Sequence, residues 1–121
     1  MAVLNEISER IIGCAFKVGN TLGCGFLEKV YENALAIELG KAGLSVEQQR
    51  PIAVVYDGQI VGRYDADLLV EGKVIVELKA VREISDAFRA QCINYLRATG
   101  LRLCLLINFG NTRVEVKRIV H

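Results

Sequence analysis

Two adjacent segments, residues 62–70 and 73–80, most constrain what this chain can fold into. Each has the length and the apolar content of a β-strand. Between them stand only Glu71 and Gly72, a two-residue connection with glycine second, which is typical of a tight turn. The sequence therefore predicts a β-hairpin at this point.

Charged residues lie in the middle of this predicted hairpin. Side chains alternate along a strand, so Ile75, Glu77 and Lys79 share one face of a strand that is otherwise apolar enough to be central in a sheet. On the preceding strand Asp65 and Asp67 share a face, and a tight hairpin would turn one of them toward Glu77. Buried carboxylates are unfavourable unless something compensates their charge. A divalent metal ion is one such compensation.

The rest of the chain supplies helices on both sides of these strands. Apolar periodicity predicts helices, and short apolar runs predict strands, at the following positions: helices over 4–22, about 26–42 and about 86–98, and further strands over 45–56, 101–108 and 112–120. Pro51 favours an edge position for the strand over 45–56. Asp57 and Gly58 predict a hairpin turn after it, and Ser85 is placed to cap the third helix.

This element order, ααβββαββ, predicts an α/β (α+β) fold with a mixed central sheet of about five strands flanked by helices. The third helix would be the crossover to a strand that pairs in parallel with a central strand. With 121 residues and no linker or repeat, the sequence predicts a single domain over residues 1–121.

Charge and cysteine content limit the classes of partner and location. The chain has 15 basic and 14 acidic residues, so no strong overall field attracts nucleic acid or an anionic membrane. No signal peptide or run long enough to span a bilayer is visible, and the four cysteines show no CxxC spacing. The sequence predicts a soluble, reduced, cytoplasmic protein without a membrane partner.

The second helix carries a carboxylate at the edge of its apolar stripe. The stripe is expected to include the following apolar residues: Leu27, Val30, Tyr31, Ala34 and Leu35. Glu28 lies at its boundary, one turn before Tyr31. Periodicity alone is equally consistent with a solvated glutamate, and Glu38 also falls near the stripe.

These residues carry a resemblance to a known superfamily. Asp67, then Glu77-x-Lys79 ten positions later, then a helix with Gln91 and Tyr95, resembles the PD-(D/E)XK nucleases, in the branch where a Gln-x-x-x-Tyr helix follows the catalytic hairpin. This resemblance implies a restriction-endonuclease-like core. It also implies a metal-dependent nuclease that hydrolyses phosphodiester bonds.

A second motif narrows the resemblance. The segment that begins at Gly25 and contains Glu28 and Tyr31 matches the pattern of the GxxExxY protein family, and the resemblance extends over residues 11–120. Two positions depart from the family's pattern. A histidine is frequent three residues before the helix glutamine and another in the first helix, where this chain has Phe88 and Gly19.

The resemblance also implies the roles of individual residues. Asp67 and Glu77 would be ligands of Mg²⁺ or Mn²⁺, with the backbone carbonyl of Leu78 as a possible third ligand and Glu28 as a further carboxylate from the helix. Lys79 would orient or deprotonate the attacking water. Hard-oxygen ligands suit these ions, which make hydroxide available at neutral pH.

Gln91 and Tyr95 would steer the phosphate or hold the metal's outer shell, and nucleic acid, DNA or RNA, would be the partner. The match favours Asp67 over Asp65, because the run Asp-Leu-Leu-Val aligns with the aspartate of the family. A homodimer is also expected, because a second subunit would help to enclose substrate over a shallow site.

Two other interpretations remain at this point. The fold would be kept for nucleic-acid or protein binding without catalysis, an option that the near-zero net charge and the absence of a basic tail favour, because affinity for a duplex depends on neutralising many phosphates. Alternatively, Glu77 and Lys79 would form a buried ion pair, with Asp67 satisfied by backbone donors.

Overall fold

A computed structural model describes residues 1–121 and confirms the predicted order of elements. The elements are α1 (Ala2–Leu22), α2 (Glu28–Lys41), β1 (Val46–Tyr56), β2 (Gln59–Val70), β3 (Val74–Lys79), α3 (Asp86–Thr99), β4 (Leu103–Asn108) and β5 (Glu115–Val120). The predicted α/β class with a mixed five-stranded sheet is therefore correct. None of the helices combines the length and apolarity that crossing a membrane requires.

The sheet follows the order β1-β2-β3-β4-β5, which makes β3 its central strand. Strands β3 and β4 pair in parallel through the crossover helix α3, and all other neighbours pair antiparallel. Helices α1 and α2 cover one face with the larger apolar cluster, and α3 covers the other face with the smaller one. Every residue of β4 is buried, as its continuous apolar sequence predicts.

The two hairpin turns differ in how well the sequence predicts them. Asp57 and Gly58 both have positive φ angles and directly connect β1 to β2, as the Asp-Gly pair predicts. Between β2 and β3 the last register pair is Val70 with Val74, so three residues connect the strands instead of the predicted two. Lys73 is the additional residue, and its N–H donates to the carbonyl of Val70 at 3.0 Å.

The β1–β2 hairpin changes faces near its middle. Leu68 and Val70 pack on the α1 and α2 side, whereas Ala66 packs on the α3 side, although all three positions are even-numbered. The change coincides with Gln49 of β1, which has a positive φ of 52° and is not paired with a residue of β2. The outer part of the hairpin consequently lies against α3.

The loop between α1 and α2 is held by a buried tyrosine. The hydroxyl of Tyr31 donates to the carbonyl of Gly23 at 2.6 Å and accepts from the N–H of Phe26 at 3.2 Å. Its ring stacks on Phe109, with ring centroids 4.6 Å apart. Gly25 has φ of 111°, which strongly favours glycine. The glycine and the tyrosine of the Gly-x-x-Glu-x-x-Tyr segment therefore have structural roles.

The buried side of α2 differs from the predicted stripe. Leu27 is 80% exposed and Val30 is also exposed, because Leu27 is the N-cap residue and the helix begins only at Glu28. The buried residues of α2 are Tyr31, Glu32, Leu35 and Leu39. A carboxylate, Glu32, thus occupies a core-facing position that lies outside the predicted apolar stripe.

Backbone contacts fix the carboxyl end of β3. The fully buried Asn108 accepts from the N–H of Val81 at 3.0 Å and donates to the carbonyl of the same residue at 2.8 Å. The N–H of Phe109 donates to the carbonyl of Lys79 at 2.8 Å. A Cβ at Gly110 would collide with the backbone of Val81, so only glycine allows this close approach. The segment that carries Lys79 is therefore rigidly attached to β4.

We expect Tyr31→Phe to lower the free energy of unfolding by about 1–3 kcal/mol, because Gly23 and Phe26 each lose a partner in a part-buried loop. Denaturant unfolding followed by circular dichroism measures the change. Tyr56→Phe is the matched control, since Tyr56 is 75% exposed at the tip of the hairpin and forms no hydrogen bond through its hydroxyl. Equal stability of the two variants would contradict the structural role of Tyr31.

Candidate active site

The site begins where the ladder between β2 and β3 ends. The last register pair on this side is Leu68 with Val76, and beyond it side chains replace the backbone partners. The N–H of Asp67 donates to Oε1 of Glu77 at 2.9 Å, and the N–H of Leu78 donates to Oδ2 of Asp67 at 2.8 Å. Each carboxylate is thus held by the neighbouring strand, which brings Asp67 and Glu77 together as the hairpin predicts.

The two carboxylates share a poorly solvated position. Glu77 is 3% exposed, and burial first, then the charge of Asp67, raises its pKa to about 8. Burial also raises the pKa of Asp67, with a further contribution from the charge of Glu32. The charge of Lys79 lowers the pKa of both carboxyl groups, and the charge of Glu28 raises that of Glu77. All of these charges therefore act on the paired carboxylates.

Lys79 points toward α3 and does not form an ion pair. Its Nζ lies 4.4 Å from the centroid of the Phe88 ring, which is a cation–π contact. None of the four ion pairs in the structure includes Lys79 or Glu77. The interpretation of these two residues as a buried ion pair is therefore wrong. Phe88, one of the two positions at which the chain departs from the resemblance described above, here supports the lysine.

A further carboxylate, Glu32, enters the site from α2. It is 3% exposed and accepts from Nε2 of Gln49 at 2.6 Å and from Nε2 of Gln48 at 2.7 Å. Lys29 completes the set with an ion pair at 2.9 Å. Gln49 also donates to Oδ1 of Asp67, at 3.4 Å. A polar network therefore links α2 through β1 to the paired carboxylates.

Sequence reasoning missed Glu32, Gln48 and Gln49. A usable signal existed on α2, because Glu32 directly follows Tyr31 and precedes Leu35 by three residues, which places it between buried positions. Glu28, which the resemblance selects, is exposed in the first turn of α2 and forms no hydrogen bond. Its contribution to the pKa of Glu77 nevertheless places its charge near the site.

Gln91 and Tyr95 lie on the side of α3 that faces the hairpin. The ring of Tyr95 is buried against that of Tyr64, with ring centroids 5.7 Å apart. Burial, and then the charges of Glu77 and Asp67, raises the pKa of the Tyr95 hydroxyl. Gln91 lies one helical turn before Tyr95 and is half-buried in the same cleft. Tyr95 therefore lies near the carboxylates, and Gln91 shares the cleft that Tyr95 lines.

Asp65 is exposed and does not belong to the site. That Asp65 and Asp67 share a face stays a prediction, since the face change of the hairpin falls between Ala66 and Leu68. Asp67, the aspartate that the resemblance favours, is the one that contacts Glu77 and Leu78.

The donor set suits a small, hard divalent cation. Oε2 of Glu77 has no hydrogen-bond partner and is not fully buried, and its neighbour Asp67 adds a second carboxylate. The N–H and carbonyl of one strand residue point to the same side, so the carbonyl of Leu78 also faces these oxygens. No group of three or more His, Cys, Asp and Glu side chains forms a metal cage. Mg²⁺ typically keeps several waters and takes only one or two carboxylates from a protein, which this arrangement fits.

Comparison with known proteins agrees with the geometry. The sequence model of the PD-(D/E)XK nuclease superfamily matches residues 5–119. No curated protein and no solved structure gives a significant match.

We expect the free energy of unfolding of metal-free protein to fall as the pH rises from about 4.5 to about 8. Folded Glu77 keeps its proton up to about pH 8, whereas in the unfolded chain it releases the proton near its ordinary pKa of 4.5. The contribution of Glu77 to stability is therefore greatest below about pH 4.5 and is lost as the pH rises toward 8. The fall should be at least about 1.4 kcal/mol, the equivalent of one pKa unit. Urea unfolding across this pH interval measures it.

Glu77→Gln should remove most of this pH dependence and be no less stable than the wild type at pH 8. Glu6→Gln is the matched control, because Glu6 is exposed on α1 and should leave the dependence unchanged. A loss of about 3–5 kcal/mol in Glu77→Gln would instead indicate a buried ion pair.

Proposed function

The chain belongs to the PD-(D/E)XK nuclease superfamily, and from this we propose that it is a metal-dependent nuclease that hydrolyses phosphodiester bonds in DNA or RNA. The observation that carries the proposal is the pairing of Asp67 and Glu77 at the end of the β2–β3 ladder, with Lys79 on the next same-face position. Apolar residues would stabilise the centre of a sheet better than two carboxylates of like charge. Their presence is best explained by a ligand that compensates them.

Asp67 and Glu77 are proposed as the ligands of Mg²⁺ or Mn²⁺, with the carbonyl of Leu78 as a third ligand. Glu28 is proposed to contribute a further carboxylate from the exposed start of α2, and its effect on the pKa of Glu77 supports this. The bound ion would supply a nucleophilic hydroxide and neutralise charge on the phosphate. Gln49 and the buried Glu32 would hold Asp67 in place.

Lys79 is proposed to orient the attacking water or, in its neutral amine form, to accept that water's proton, and then as the ammonium to stabilise charge that develops on the phosphate. Two contacts limit its freedom: the N–H of Phe109 fixes its carbonyl, and the ring of Phe88 lies under its ammonium group. Because no carboxylate forms an ion pair with Lys79, its donors are available to substrate and water. A positioned base of this kind typically accelerates a reaction by about 10²- to 10⁴-fold.

Gln91 and Tyr95 are proposed to position the substrate phosphate. The raised pKa of Tyr95 keeps its hydroxyl protonated at neutral pH, so the group donates a hydrogen bond and adds no negative charge. Gln91 offers both a donor and an acceptor one turn earlier.

We also propose that the chain is a member of the GxxExxY family. Support comes from the distinct environments of the three motif residues. Gly25 adopts a positive φ, Tyr31 holds the α1–α2 loop, and Glu28 lies near the carboxylates. Self-association and a cytoplasmic location stay predictions.

A second candidate function is a non-catalytic binding module that keeps the nuclease fold. One observation favours it: the net charge of +1 offers little to neutralise the phosphates of a duplex substrate. Metal binding and cleavage by the same protein separate the two candidates.

We expect Asp67→Asn to abolish binding of Mg²⁺ and Mn²⁺ and to reduce cleavage at least about 100-fold. Loss of a residue that only hydrogen-bonds to a metal ligand typically costs at most about 100-fold, so a larger loss indicates a direct ligand. Titration calorimetry measures the metal affinity, and cleavage is measured on labelled single-stranded and duplex DNA and RNA. Asp65→Asn is the matched control, because Asp65 lies two residues earlier in β2 with its side chain exposed. A wild type that binds neither ion at millimolar concentration would support the binding module.

We expect Lys79→Met to lower the cleavage rate by about 10²- to 10⁴-fold while metal affinity is retained or increased, because a positive charge near the site is removed. Lys73→Met, at the exposed β2–β3 turn, should leave both quantities unchanged. Unaltered cleavage by Lys79→Met would exclude the lysine from catalysis.

A further inference from the structure

A cleft runs along the outer hairpin, which we define as residues 52–64. It lies between this ribbon and α3, has a volume of about 350 Å³, and adjoins a second depression of about 460 Å³. The two share four lining residues, namely Val54, Tyr64, Asn94 and Ala98. They are therefore parts of one continuous groove, of a size typical of small-molecule sites.

The walls of the groove are apolar and partly aromatic. Tyr64 is 52% exposed, so its ring offers free surface although one part of it contacts Tyr95. Val54 stands beside it on the paired strand, opposite Ala87 and Ala90 on α3. The short alanine side chains leave a slot between the helix and the tyrosine ring. A flat apolar group matches this shape.

Polar groups are placed at the edges of the same slot. The amides of Gln91 and Asn94 line it, and each carries both a donor and an acceptor. Arg97 lines the outer depression, where its exposed guanidinium is not engaged in any ion pair. A ligand that is flat, has hydrogen-bonding edges and carries a negative charge nearby would satisfy all of these features.

The groove shares two residues with the proposed active site. Gln91 and Tyr95 line its inner end, and Tyr95 lies close enough to Glu77 and Asp67 to respond to their charges. A chain-like ligand can therefore place one unit in the groove and the adjacent phosphate at the carboxylates. Amide groups read base edges, and tyrosine rings stack on bases of any type.

We propose that the groove between the outer hairpin and α3 binds an unpaired nucleobase that stacks on Tyr64, so that the substrate is a single-stranded nucleic acid. The inference rests on the proposed nuclease function and adds its substrate class. Affinity for a duplex depends on neutralising many phosphates, and the net charge of +1 provides little for that purpose. Stacking on an aromatic ring depends much less on net charge. In addition, a paired base within a duplex cannot enter a slot between a strand and a helix, whereas an unpaired base can.

The test is a binding experiment in EDTA, where cleavage is suppressed. Fluorescence anisotropy is measured with labelled 12-nucleotide single strands of DNA and of RNA. The comparison ligands are the blunt duplex of the same DNA sequence and a single strand of the same length in which every nucleotide is abasic. We expect the wild type to bind the natural single strands at least about tenfold more tightly than the duplex or the abasic strand. Comparison of DNA with RNA identifies the sugar that is preferred.

Tyr64→Ala should weaken single-strand binding by about tenfold, and Tyr64→Phe should retain the wild-type affinity because the ring is kept. Tyr56→Ala is the matched control, since this tyrosine is more exposed and lies at the tip of the same hairpin outside the groove. Denaturant unfolding verifies that each variant is folded. Equal affinity of Tyr64→Ala and Tyr56→Ala would overturn the inference, as would equal binding of the natural and abasic strands.

Cleavage in Mg²⁺ separates failure of this inference from failure of the nuclease proposal. Cleavage that depends on Asp67 but acts on duplexes in preference to single strands would overturn the inference and leave the nuclease standing. Base-dependent binding of single strands without any cleavage would support the nucleobase site and overturn the nuclease proposal. Absence of binding to every oligonucleotide up to about 100 µM would also overturn the inference.

Discussion

The structure depends on two carboxylates that replace backbone partners at the centre of a sheet. Where the β2–β3 ladder stops, Asp67 and Glu77 each accept a hydrogen bond from the opposite strand. These bonds satisfy N–H groups that would otherwise be buried without partners, and they also force two like charges together. The strands therefore remain associated through side chains whose charged forms burial disfavours. Local structure and the proposed chemistry use the same atoms.

The surrounding fold compensates this unfavourable arrangement. On the other side of β3, the completely buried strand β4 pairs along six positions and holds the central strand in place. Asn108 and Gly110 attach the segment after β3 to β4, which fixes the backbone at Lys79. Two apolar clusters, one on each face, supply the favourable burial that such a site requires. Rigid support on one side of β3 permits an irregular opening on the other.

The sequence predicts features that depend on neighbouring residues. The Asp57-Gly58 turn and the Ser85 cap, whose side chain accepts from the N–H of Phe88, are local features that the sequence predicts correctly. The opposition of Asp67 and Glu77 follows from the hairpin. Glu32 was missed because its partners Gln48 and Gln49 are 16 and 17 positions away, and no local pattern indicates that two exposed-looking glutamines satisfy a buried carboxylate. The three-residue turn at Glu71 was missed because a positive φ at glutamate is not favoured by that residue type.

One irregular residue explains both the shape of the site and the groove beside it. Gln49 adopts a positive φ and sends its amide to Glu32 and Asp67, which ties α2 to the carboxylates. At the same level the β1–β2 ribbon changes faces, so that Tyr64 lies against α3 while Leu68 packs under α2. A regular ribbon would keep the even-numbered residues on one face, and Tyr64 would then point toward α2, away from Tyr95. The break in the strand is therefore the physical link between positioning the carboxylates and opening a slot for a base next to them.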